Sequence, residues 1–389
     1  MEGIVPRQRS GEPGGVRNDS ATAVADFSLR LFRAASDGTD NTLISPLSVL
    51  SALAMLTNGA RGETLAQIET AVGMTVGEMN DFFFLYLAGL SEGETYKLTL
   101  ADSIWFKSDG SISIDPAFLQ TNADFYGADA YGAPFDESTL REINEWVNEK
   151  TDGMIPELLD SISPETVLYL INALCFDADW EQPFAPDWVR TGDFTTGSGK
   201  IVTATYMSEA NFGTGTYYLE NEQATGIYKH YDGEQYAFVA LLPNEGISVS
   251  DYLTSLDGET LRSLLSQKRQ PEELHVRIPK YETEYETELS GALAKMGVTD
   301  VFAPDRADLS GIGSIPYGNP YLDCVIHKTF LSLNENGTRA GASSAYGLYG
   351  ATADSDLKEV YFTRPFVYML IDCKTDLPFF IGVLDDPTK

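Results

Sequence analysis

The pattern of apolar and polar positions places helices first along the chain and strands later. Residues 23 to 35 read as a helix. Ser45-Pro46 opens a second, with serine as the cap and proline at the first helical position. Its apolar face carries Leu47, Leu50, Leu53 and Ala54, and Asn58-Gly59 ends it. A third helix runs from Gly62-Glu63-Thr64 to Val72-Gly73, and a fourth from about Glu78 to Leu90. Asp115-Pro116 starts another that stops near Tyr126-Gly127, and the stretch from Arg141 to Lys150 stacks Ile143, Trp146 and Val147 on one side. Leu98 to Lys107 is a strand candidate. Val167 to Phe176 is nearly continuous in apolar residues, as expected of a strand covered on both faces in the middle of a large sheet. Ala237 to Leu242, His275 to Pro279, Val325 to Leu333 and Phe366 to Cys373 are further strands, and Leu377 to Leu384 pairs with the last of them across Lys374-Thr375-Asp376. This mixture predicts an α+β domain. No repeat and no Pro/Ser linker divides residues 23–389, so they are read as one domain. Residues 1–22 are read as a flexible polar leader without the apolar core of a signal peptide.

Charge narrows the function. The 58 acidic against 26 basic residues give a formal net charge of -32, which disfavours nucleic acid and anionic membranes as partners. No apolar run is long enough to span a bilayer. The three cysteines, Cys175, Cys324 and Cys373, are far apart and each lies in an apolar stretch, so they read as core residues and not as a metal or redox site. The chain has three histidines, His230, His275 and His327. No Gly-x-Ser-x-Gly elbow and no His-Glu-x-x-His motif accompanies them. Gly197-Ser198-Gly199-Lys200 lacks the first glycine of a phosphate loop and reads as a turn. Paired carboxylates of a glycoside hydrolase remain an alternative on composition alone. No cofactor and no metal is expected.

One segment does not fit an ordinary fold. Residues 334–360 lie between two strand candidates, are rich in Gly, Ala and Ser, and contain no proline. A loop that long inside a compact domain is usually functional. Read with a period of two, Thr338, Ala340, Ala342 and Ser344 share one face, and all are small enough to be buried in a sheet. The segment is therefore compatible with two states, an exposed loop and an inserted strand.

The run Leu333-Asn334-Glu335-Asn336-Gly337-Thr338-Arg339-Ala340 resembles the hinge of the serpins, the serine protease inhibitor family. Asn41-Thr42-Leu43-Ile44-Ser45-Pro46-Leu47-Ser48, the Ile143-Asn144 to Ile155 stretch and Asn172 to Phe184 are similar to further serpin landmarks. So are Ala307-Asp308-Leu309-Ser310-Gly311 and Phe362-Thr363-Arg364-Pro365-Phe366, in the family's order over nearly the whole chain.

The resemblance implies a metastable serpin fold with three β-sheets, about nine helices and an exposed reactive-centre loop at about 335–360. It implies a suicide-substrate inhibitor, not an enzyme: a serine protease cleaves the loop, is held as an acyl-enzyme, and is disabled when the loop inserts into the main sheet. Glu335, Gly337 and Thr338 would open the hinge, with Ala340, Ala342 and Ser344 following on the buried face. The family's hinge length puts the scissile bond at Ala351-Thr352. Ala351 suits the shallow pocket of an elastase-like or subtilisin-like protease, whereas Tyr349 or Leu348 would serve a chymotrypsin-like one. Ser45, Ser48, Asn172 and His327 correspond to the polar shutter beneath the sheet, and Trp180 and Lys328 to the place where its top first parts. A non-inhibitory binding protein is the other reading within the family. A monomer is expected, extracellular or at the cell surface. Asn336-Gly337-Thr338 is a glycosylation sequon in the hinge, where a glycan would block insertion; with the acidity and few cysteines this favours a prokaryotic source.

Overall fold

The structure is a computed structural model that describes residues 6–7, 15–36, 38–90, 93–213, 215–316, 319–338 and 356–389. The described residues form helices α1 Asn18–Ala35, α2 Pro46–Thr57, α3 Gly62–Val72, α4 Val76–Gly89, α5 Pro116–Tyr126, α6 Glu137–Lys150, α7 Val249–Ser255, α8 Gly258–Ser266 and α9 Ser290–Lys295. The first nine strands are β1 Thr42–Ile44, β2 Tyr96–Lys107, β3 Ser113–Ile114, β4 Asp129–Ala133, β5 Leu168–Asp179, β6 Arg190–Thr195, β7 Ile201–Asn211, β8 Tyr217–Glu220 and β9 Ala224–His230. The others are β10 Tyr236–Pro243, β11 Glu273–Pro279, β12 Tyr281–Glu288, β13 Gly313–Ser314, β14 Ile326–Leu333, β15 Gly337–Thr338, β16 Leu357–Tyr361, β17 Phe366–Asp372 and β18 Leu377–Leu384.

Local chemistry sets the ends of the helices. The Ser45 side chain accepts from the backbone of Ser48 and Pro46 starts α2, as the sequence predicts. Thr75 and Glu78 form a reciprocal capping box at α4. Helix α6 begins at Glu137, a turn earlier than its apolar stripe indicates, because Asp136 caps the amides of Ser138 and Thr139. Helix α1 begins at Asn18, within the stretch read as leader.

Among the described residues three sheets organise the fold, with a small fourth pairing β13 to β3. The principal sheet has the order β12-β14-β15-β5-β2-β4. Its period of two separates two cores. Even-numbered residues of β2 and β5, such as Leu98, Ile104, Leu174 and Phe176, face the large core shared with α2 and the sheet β1-β18-β17-β10-β9-β8. Odd-numbered ones, such as Trp105, Ile171 and Ala173, meet Ile143, Trp146 and Val147 of α6 on the other face. Strand β5 is thus covered on both sides, which accounts for its apolar run.

Two expectations change. Of the cysteines only Cys175 is buried; Cys324 and Cys373 are half-buried, and the Tyr228 hydroxyl donates to the Cys373 sulfur at 3.0 Å. The segment from 334 to 360 is not loop throughout, since Gly337–Thr338 joins the sheet and β16 starts at Leu357.

Candidate functional site

The site begins where β14 ends. After Leu333 the chain turns through Asn334, Glu335 and Asn336 and re-enters the sheet as β15, with Thr338 opposite both Leu333 and Ala178 and Gly337 opposite Asp179. Only glycine fits at 337, because a Cβ there would run into the carbonyl oxygen of Ala178. The turn is held by backbone bonds. The amide of Trp180 donates to the Asn336 carbonyl at 2.7 Å, and that of Phe184 to the Glu335 carbonyl at 2.9 Å. The Trp180 indole donates to the Asn334 carbonyl at 2.9 Å. Lys280 forms an ion pair with Glu335. Burial pushes the Glu335 carboxyl up, but the Lys280 hydrogen bond, a backbone hydrogen bond and the Lys280 charge together outweigh it and hold it below its ordinary value.

Thr338 is 2% exposed. Its hydroxyl lies 2.5 Å from that of Tyr231, whose ring stacks on Trp180 with centroids 4.4 Å apart and planes 9° from parallel. Behind this aromatic platform the buried Lys229 ammonium pairs with Glu209 at 2.8 Å and sits 4.6 Å from the centre of the Phe184 ring. Replacing Tyr231 by Phe keeps the stack and removes the bond to Thr338. The expected loss is about 1–2 kcal/mol, because a buried threonine hydroxyl loses its partner. A shift in the urea midpoint, with an unchanged slope, measures it.

Below β15 the described residues leave the sheet open. Among the described residues, β14 and β5 are joined only through Gly337 and Thr338. Lower down they flank a cavity of about 100 Å³. Its floor is α2, through Ser45, Ser48, Val49 and Ala52, and Val147 and Ile155 line it from the α6 side. Strand β5 spends one edge on β2, from Tyr96 opposite Ala178 to Phe106 opposite Leu168, and β14 spends one edge on β12. Their facing edges carry backbone donors and acceptors that another strand can pair with.

Three serines spaced three residues apart on α2 fasten it to the sheet. The Ser45 amide donates to His327 Nε2 on β14 at 3.0 Å. The Ser48 hydroxyl donates to Asn172 Oδ1 on β5. The Ser51 hydroxyl lies 3.1 and 3.0 Å from the two carboxyl oxygens of Asp102 on β2, and Asn172 Nδ2 donates to the same carboxyl at 2.9 Å. Burial pushes the His327 imidazole down to about 4, so it is neutral at physiological pH. It accepts from a backbone amide and not from a hydroxyl, so it has no nucleophile to activate.

The structure brings only some of the residues singled out in the sequence into one place. Ser45, Ser48, Asn172 and His327 come together beneath the sheet, and Glu335, Gly337, Thr338 and Trp180 at its top. Lys328 does not lie at the top. It sits five residues down β14 from Leu333, about 17 Å along the strand, and pairs with Glu284 and Glu286 at 3.4 and 3.3 Å. The lysine that pairs with Glu335 at the top is Lys280. Tyr231, Ser51 and Asp102 also belong to the site. The three-residue spacing of serines in an apolar helix could have pointed to Ser51 and the lone acid in an apolar strand to Asp102, whereas Tyr231 had no local signal. Ala340, Ala342, Ser344, Leu348, Tyr349, Ala351 and Thr352 lie outside the described residues.

Comparison with known proteins gives a consistent result. The family described as Serpin (serine protease inhibitor) matches residues 22–387. The leukocyte elastase inhibitor of Equus caballus is 32% identical over 339 residues, 84% of this chain and 88% of that protein. Its counterpart in Homo sapiens is 30% identical over 384 residues, 94% of this chain and 99% of that one. The crystal structure of the thermophilic serpin tengpin in its native state, 39% identical, superposes with a TM-score of 0.90 over 97% of this chain and 96% of tengpin. The latent state of tengpin, 38% identical, gives 0.84 over 96% of this chain and 100% of that one.

Proposed function

The chain belongs to the serpin family, and from that premise we propose that it is a suicide-substrate inhibitor of serine proteases of the elastase-like or subtilisin-like kind. The observation that carries the reading is the open sheet: β5 and β14 stand apart below a hinge whose first two residues are already paired between them. Cleavage of the loop frees the rest of that segment to follow Thr338 downward. Thr338, Ala340, Ala342 and Ser344 then face α2, where only small side chains fit without displacing Ser48, Val49 and Ala52. The bond Ala351-Thr352 is the proposed cleavage site, and a methyl group at Ala351 matches a shallow specificity pocket. The elastase inhibitors among the relatives agree with that choice. Inhibition is a race between insertion and hydrolysis of the acyl-enzyme, so its outcome is set by rates.

The test is incubation with pancreatic elastase, subtilisin, chymotrypsin and trypsin, followed by denaturing electrophoresis and mass spectrometry. The expected result is a covalent adduct with elastase or subtilisin and a cut after Ala351. Degradation of the loop by all four without any adduct removes the proposal and favours a binding protein.

A further inference from the structure

Asp102 is 3% exposed, and its carboxyl touches only neutral partners: the Ser51 hydroxyl at 3.1 and 3.0 Å and the Asn172 amide at 2.9 Å. The groups around it offer no countercharge. His327 on β14 and the Tyr126 phenol of α5 are both uncharged at neutral pH, the first because burial pushes it down to about 4 and the second because burial pushes it well above its ordinary value. The Tyr126 hydroxyl donates to Asn80 Oδ1 of α4 at 2.7 Å. Among the described residues no lysine or arginine forms an ion pair with Asp102, and none contributes to the electrostatics of its carboxyl.

The neutral acid fits this setting well. Its O–H can donate to Ser51 while its other oxygen accepts from Asn172. The carboxylate has the same donors and no cation, in a place that water does not reach.

The position of Asp102 gives that charge a mechanical consequence. Strands β2 and β5 are paired along their length and form one plate, and β12 and β14 form the other. Helix α2 is bonded to both, through Ser51 and Ser48 to the first and through Ser45 to the second. Any widening of the space between β5 and β14 strains these bonds.

We propose that Asp102 makes the shutter a pH-sensitive clasp, in which the protonated carboxyl keeps the sheet closed and loss of its proton to solvent loosens it. The proposal rests on the inhibitor reading only for its biological use; sheet opening itself is measurable whether or not a protease is trapped. Burial raises the Asp102 carboxyl from 3.8 to about 7. The closed sheet therefore holds this proton more tightly than an opened, hydrated one. The opening equilibrium then rises with pH between the two values, by at most about tenfold per pH unit, and levels off above about 7. Closure is firmest in acid, and insertion is readiest at and above neutrality.

Asp102→Asn supplies the test, since a carboxamide donates to Ser51 and accepts from Asn172 as the protonated acid does. Amide hydrogen exchange of residues 168–177 and 326–332, corrected for intrinsic rates, is compared at about pH 5.5 and about pH 7.5 in the intact protein. The expected result is a loss of protection of about tenfold or more in the wild type and no loss in Asp102→Asn, whose protection exceeds that of the wild type at both values because the wild-type sheet already opens more at about pH 5.5 than its fully protonated form does. A flat wild-type profile overturns the clasp without reference to the variant, and so does the same loss in both proteins. Absence of a covalent adduct with elastase or subtilisin, by contrast, removes the inhibitor reading and leaves this result standing.

Discussion

Thr338→Arg turns the protein from an inhibitor into a substrate. Thr338 is the first residue that must stay in the sheet, its side chain points at Tyr231, and it is 2% exposed. An arginine there would carry a cation beneath Trp180 and Tyr231 with no acid to receive it. Glu335, the nearest acid of the hinge, is already paired with Lys280. An unpaired buried charge costs about 3–5 kcal/mol, so the variant keeps Gly337 and Arg outside the sheet and the rest of the segment cannot follow. The chain still folds, because this change affects two residues of β15 and leaves the paired plates on either side intact. The same energy placed on the barrier to insertion slows it by about two to four orders of magnitude, while hydrolysis of the acyl-enzyme is untouched. Titration of elastase or subtilisin with the variant should show loop cleavage at the wild-type rate and a covalent adduct reduced by at least about tenfold. Thr338→Val, which keeps the volume and loses the hydroxyl, is the control and should retain most of the adduct. An undiminished adduct in Thr338→Arg would mean that the segment after Leu333 does not insert through this end.

Much of this arrangement was legible in the sequence where a single pattern carries a single meaning. The apolar run of β5 reads as expected of a strand covered on both faces, and Ser45-Pro46 marks the start of α2 by capping chemistry alone. The small residues at alternate positions after Leu333 fix which face of the hinge is buried, and Thr338 lies on that face. Elsewhere the pattern misleads or is silent. Strand β12 reads Tyr-Glu-Thr-Glu-Tyr-Glu-Thr-Glu, and its outward row of glutamates resembles a solvated loop; in the fold it is an edge strand, where charge blocks further pairing. Lys328 and Lys280 cannot be told apart as partners of Glu335 until the register of β14 against β12 is known. Tyr231 meets Thr338 across 107 residues of chain, a distance over which no local pattern speaks. Asp102 was visible as a lone acid in an apolar strand, yet its importance comes from α2 and β5, which only the fold brings to it.

The central claim is that the open space between β5 and β14 receives a strand of this chain. A strand of about ten residues flanked on both sides adds roughly 10–20 backbone hydrogen bonds. At about 0.5 kcal/mol net each that is about 5–10 kcal/mol, or roughly 6–12 °C in Tm for a chain whose unfolding entropy is about 0.8 kcal/mol/K. The most direct measurement is therefore thermal unfolding before and after the loop is cut with a catalytic amount of a protease that cleaves within residues 339–355. The account predicts a rise in Tm of at least about 6 °C, with new hydrogen-exchange protection along 168–177 and 326–332. A cut chain that melts at the same temperature as the uncut one, with those two edges still exchanging freely, contradicts it.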